Sequence, residues 1–118
     1  MIGRIHGSAA FERTRREGTR VRSTLVWCTM LLDPSLSRPH VGYAIGRSVG
    51  NAVTRNRARR RLRAAFAERG ASLRPGWYVV GASTEVATCR STRVAAEVDK
   101  LVDKLAAIPD PVPSGSLP

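Results

Sequence analysis

VGYAIGRSVGNAVTRNRARRRLRAAF, Val41 to Phe66, changes its period halfway along. In the first part Val41, Tyr43 and Ile45 are bulky, while Gly42, Ala44 and Gly46 are nearly bare. Alternation of this kind marks a strand, and its bare face lets something flat approach the backbone. Gly50-Asn51 ends the alternation, and Asn51 or Thr54 can cap a helix running to about Arg69. On a wheel of about 100° per residue, Leu62, Ala65 and Phe66 fall within about 80° of Ala58, which defines a core face. Asn56, Arg60 and Arg63 lie opposite, with Arg57 and Arg59 on the flanks and Arg61 at an edge. Arg55 falls over the apolar side. Val53 falls on the wrong face, which predicts an irregular first turn.

Outward from this unit, Trp77–Ala82 reads as another strong strand. Upstream, Ser8 can cap a short helix that reaches Arg16, with Gly18 as its stop. Val21–Leu32 is apolar on both faces and predicts one strand buried on both sides. Asp33-Pro34-Ser35 and Arg38-Pro39 form a turn-rich loop. Val94, Val98, Leu101, Val102 and Leu105 share one face of a last helix. Pro109, Pro111 and Pro113, with Ser and Gly, form a loose tail. With 118 residues, one α+β domain over 1–108 and a flexible tail over 109–118 are expected.

Charge narrows the partner. The chain carries a formal +11. Residues 1–93 hold 18 arginines against five acids, whereas residues 94–118 are net −2. A GC-rich genome explains arginine over lysine, but it does not explain the shortage of acids. Six arginines fall within the nine residues Arg55–Arg63 with no acid until Glu68. Like-charge neighbours such as Arg57/Arg60 and Arg59/Arg63 each cost roughly 0.2–0.5 kcal/mol. A merely solvated face interleaves glutamate; this one asks for a polyanion, and guanidinium forks fit phosphate oxygens. Nucleic acid is the first candidate and a membrane surface the second.

Catalytic chemistry finds little support. His6 and His40 are the only histidines, neither with an acid at a telling spacing. Cys28 and Cys89 match no zinc or disulfide pattern. Gly46-Arg47-Ser48-Val49-Gly50 lacks the ending of a phosphate-binding Walker loop. Neither a metal cluster nor a nucleophile motif is present. No run is apolar enough for a membrane helix, and Met1–Ala10 lacks the apolar centre of a signal peptide, so a cytoplasmic location is expected.

Val41-Gly42-Tyr43-Ala44-Ile45, then Val49-Gly50-Asn51-Ala52-Val53-Thr54-Arg55-Asn56-Arg57 and the basic helix, resemble the bacterial ribonuclease P protein component. The specific match covers about residues 41–66; the order of elements extends it from Arg4 to about Ile108. The resemblance implies a two-layer α/β sandwich with a mixed sheet and a left-handed βαβ crossover. It also implies a protein subunit, a monomer in a 1:1 complex, that binds ribonuclease P RNA and the 5′ leader of precursor tRNA. In that family the RNA is the catalyst and uses magnesium, so the resemblance implies no catalytic residue and no cofactor in the protein itself.

Carried over by position, Arg47, Arg55, Asn56, Arg57, Arg59, Arg60 and Arg63 are the implied RNA-binding residues. Phe11 and Arg15 are the implied leader-binding residues. The chain departs from the pattern at Ser48, where a basic residue is usual, and at Arg61, where an aliphatic is usual. Arg15 stands in place of an aromatic, and Cys28 falls near a position often aromatic. A DNA-binding regulator is disfavoured because a strand and Gly50, rather than a partner helix, precede the basic helix. A ribosomal or other structural RNA-binding protein shares the same phosphate chemistry.

Overall fold

A computed structural model describes residues 2–5 and 7–110. The chain runs β1 (Gly3–Arg4), α1 (Ser8–Glu17), β2 (Thr19–Arg22), β3 (Val26–Leu32), β4 (Pro39–Tyr43), α2 (Ala52–Glu68), β5 (Gly76–Ala82), α3 (Glu85–Thr88) and α4 (Ser91–Ala106). Short 3-10 turns occupy Arg47–Val49 and Gly70–Ser72. The strands form one mixed sheet in the order β1-β4-β5-β3-β2. β4 is parallel to both β1 and β5, and β3 is antiparallel to β5 and β2. The β4–α2–β5 crossover therefore joins adjacent parallel strands, as the resemblance implied.

Strand periodicity sorts the sheet into two faces. Val26, Cys28, Met30, Val41, Tyr78 and Val80 turn one way and are buried. They form a single core with Ala58, Leu62 and Phe66 of α2 and with Val94, Val98, Leu101, Val102 and Leu105 of α4. The assigned core face of α2 is thus correct. α1 lies across part of the other face, against β3 and β5. There Phe11 occupies the space beside Gly42, where a Cβ would stand 2.7 Å from its ring. The flat object that the bare strand admits is, at this point, the protein's own phenylalanine.

Several local expectations need correction. Val21–Leu32 is not one strand but part of a hairpin, with Ser23-Thr24-Leu25 between β2 and β3. Its second face is also only half covered, since Trp27, Thr29 and Leu31 are partly exposed. The turn is held from a distance. Glu97 of α4 accepts from the Thr24 and Leu25 amides at 2.9 and 3.3 Å. Burial pushes its carboxyl up, but the hydrogen bonds and Lys100 outweigh that and hold it below the ordinary range.

The first turn of α2 is regular, because Asn51 accepts from the Thr54 amide at 2.9 Å. Val53 simply faces outward, 67% exposed. Ser8 is the first helical residue of α1, and the cap is Gly7, whose φ of 83° suits glycine. Of the expected tail, Pro109 and Asp110 are described; residues 111–118 lie outside the described residues.

Candidate nucleic-acid interface

The six arginines of α2 do not share one role. Arg57, Arg60 and Arg63 are exposed, as is Asn56. Among the described residues, Arg57 and Arg60 make no hydrogen bond, ion pair or ring contact. Arg59 is half-buried and donates to Asn56 Oδ1 at 2.9 Å and to the Ile45 carbonyl at 3.3 Å. Arg63 places its guanidinium 5.7 Å from the Tyr43 ring centroid. Arg55 is half-buried, with its Nε shut away from solvent and unpartnered.

Arg61 turns toward the protein. It donates to the Val86 carbonyl at 3.2 Å and to the Cys89 carbonyl, at the end of α3. A helix end leaves carbonyls without partners, and a cation satisfies them well. The departure at position 61 therefore has a structural explanation.

The acids are spent elsewhere. Asp99 and Asp103 of α4 each pair with Arg69 at 3.0 Å, and Asp110 pairs with Arg74 at 2.6 Å. The two aspartates raise the pKa of Arg69. The negative C-terminal quarter thus neutralises arginines after α2 and leaves the exposed row on α2 positive.

One cleft adjoins that row, and a second opens on the sheet. The first, of about 660 Å³, lies between the N-terminal segment and α2 and is lined by Arg4, Phe11, Gly42, Tyr43, Arg59 and Arg63, among others. Burial raises the Tyr43 hydroxyl to about 12, with Arg63 pulling the other way. The second cleft, of about 570 Å³, lies on the open sheet face and includes Arg15, Arg20, Trp27, Thr29, Ser48 and Gly81. The structure therefore brings Phe11 together with Arg59 and Arg63, and places Arg15 in the other cleft. Arg47 is exposed in the 3-10 turn beside the second cleft. Ser48 stands on its rim, with its carbonyl accepting from Thr84 Oγ1 at 3.2 Å. Trp27 and Arg20, which line the second cleft, were not singled out in the sequence.

These features define a class: a small, strongly basic α+β domain with two cationic clefts and an arginine row that, among the described residues, makes no ion pair. The family model for Ribonuclease P matches residues 3–106. The ribonuclease P protein component of Acidothermus cellulolyticus is 36% identical over 104 residues, covering 86% of this chain and 87% of that one. That of Micrococcus luteus is 41% identical over 73 residues, a stretch spanning 55% of each chain. The solved ribonuclease P protein of Staphylococcus aureus superposes with a TM-score of 0.78 at 19% identity, covering 86% of this chain and 93% of that one, which shows a shared fold. The chain belongs to the ribonuclease P protein component family.

Proposed function

We propose that this chain is the protein subunit of a ribonuclease P ribonucleoprotein that removes the 5′ leader of precursor tRNA. The observation that carries the proposal is the row of exposed arginines on α2, which among the described residues makes no ion pair although acids are available elsewhere in the fold. Such a row has a use only when phosphates meet it, and each contact releases condensed counterions. Arg47, Arg55, Asn56, Arg57, Arg59, Arg60 and Arg63 hold the catalytic RNA in this reading. Arg55 and Arg59 contribute less freely, because both are half-buried. Phe11 and Arg15 contact the single-stranded leader, one in each cleft.

The chemical step belongs to the RNA. Among the described residues, no three His, Cys, Asp or Glu side chains gather as a metal site. Magnesium acts through the RNA in this reading, and the protein's part is to place phosphates and leader. It works as a monomer with one RNA, in the cytoplasm. Among the described residues, no helix is long and apolar enough to cross a membrane. The test is reconstitution: adding the chain to ribonuclease P RNA at low magnesium should restore cleavage of precursor tRNA at the mature 5′ end. No gain in cleavage over RNA alone would overturn the proposal.

A further inference from the structure

Just past β4, the Ala44 amide still donates to the Val80 carbonyl at 2.8 Å. The chain then leaves the sheet and reaches α2 through residues 45–51. Ile45 and Val49 anchor this segment by burying their side chains in the core. The Ser48 carbonyl accepts from Thr84, and the Ile45 carbonyl accepts from Arg59 of α2. The guanidinium of Arg59 is divided between two neutral acceptors. Nη1 donates to Asn56 Oδ1 at 2.9 Å, and Nη2 donates to the Ile45 carbonyl at 3.3 Å. Asn56 stands exposed on the arginine row. Arg59 lines the first cleft, whereas Ile45, with Ala44, Gly46 and Ser48, lines the second. One planar group therefore joins the row on α2 to the rim of the sheet cleft. A half-buried guanidinium with two neutral partners forgoes the stronger pairing with a carboxylate. What its rigid fork secures instead is a fixed spacing between helix and loop.

We infer that Arg59 is a positioning residue that couples the two RNA-binding surfaces of this chain. Loading the catalytic RNA on the row steadies Asn56 and Arg59, and through Arg59 the 45–50 segment that rims the leader's cleft. A ligand that orders a segment lowers the ordering cost left for the next ligand, so the two bind cooperatively. A guanidinium has five N–H donors, and those outside this fork stay available to a phosphate of the row. The inference rests on the functional reading above and deepens it by naming the link between catalytic RNA and leader.

The test separates the charge of Arg59 from its fork in the reconstituted holoenzyme. Arg59→Lys keeps the charge and loses the planar two-point grip. The salt slope for the catalytic RNA should therefore be kept, since it counts charges neutralised. Binding of leader-bearing precursor tRNA should weaken by roughly 2- to 12-fold, the span expected for one lost hydrogen bond. Mature tRNA should bind as before. Asn56→Ala, which frees only one arm of the fork, should show a smaller leader-dependent loss. Combined with Arg15→Ala in the second cleft, the Arg59→Lys loss should shrink, since coupled partners are non-additive.

A flattened salt slope with leader preference intact would make Arg59 a plain phosphate contact and overturn the coupling. Equal weakening of both tRNAs, or losses that simply add to that of Arg15→Ala, would overturn it as well. If Arg59→Lys fails to fold, hydrogen exchange of the wild type decides. Catalytic RNA alone should then slow exchange of the amides of residues 46–50, and unchanged exchange there overturns the coupling. Wild-type holoenzyme blind to the leader would overturn the functional reading itself and the coupling with it. Leader-dependent wild-type binding that Arg59→Lys leaves intact overturns the coupling alone.

Discussion

Arg60 and Arg61 are the same residue at adjacent positions, yet they should behave as different kinds of group. Arg60 is exposed and, among the described residues, unpartnered. Arg61 holds the Val86 and Cys89 carbonyls. Each phosphate contact contributes roughly 0.7–0.9 to the slope of log affinity against log salt. Replacing Arg57 and Arg60 together with alanine should therefore flatten the slope for the catalytic RNA by about 1.4–1.8. Between about 50 and 200 mM salt, that reduces the loss of affinity by roughly tenfold. Stability should not fall, because the change removes like-charge neighbours and adds good helix formers.

Arg61→Ala should do the reverse. It strands two carbonyls that a charged donor satisfied, at a cost of about 1–3 kcal/mol, and leaves the slope in place. The assays are filter binding of the RNA across salt and urea denaturation of the free protein. A flattened slope with unchanged stability for Arg61→Ala, or a full slope for the Arg57/Arg60 variant, would refute this division of roles.

Phe66 is fully buried and meets Tyr43 edge-on, with ring centroids 6.4 Å apart. Phe66→Ala should cost about 3–5 kcal/mol in a denaturation curve, and a loss under about 1 kcal/mol would mean that the helix packs by another face. Glu97→Ala should cost about 1–3 kcal/mol, because it leaves the amides of the β2–β3 turn unpaired. The native carboxyl of Glu97 titrates below its ordinary value of 4.5, so its contribution is complete above that value. It is lost as pH falls from 4.5 through the depressed native value. Acid denaturation of wild type against Glu97→Gln should show that loss in wild type only.

The elements most legible in the sequence are those whose signals are local. The core face of α2 follows from spacing alone, and Ala58, Leu62 and Phe66 are buried where the wheel puts them. β5 and α4 follow in the same way. The β2–β3 hairpin was hidden because Ser23-Thr24-Leu25 contains no glycine or proline. Its amides are satisfied by Glu97, which only the finished fold brings near. The inward role of Arg61 was hidden for a similar reason, since its carbonyl partners lie on α3 and just beyond. Trp27 looked like core because β3 is apolar on both faces; only its pairing with Gly81 turns it into an open ring. Phe11 could be placed on α1 but not in one cleft with Arg59 and Arg63, since that cleft depends on how the N-terminal segment crosses the sheet.

The central claim is that the protein assists an RNA catalyst rather than cutting RNA itself. It is tested most directly by assaying precursor-tRNA cleavage at low magnesium with ribonuclease P RNA alone, with this chain alone, and with both. The RNA alone should cleave little, the protein alone should cleave nothing, and the two together should restore cleavage at the mature 5′ end. Cleavage by the RNA-free protein, or no stimulation of the RNA by the protein, would contradict it.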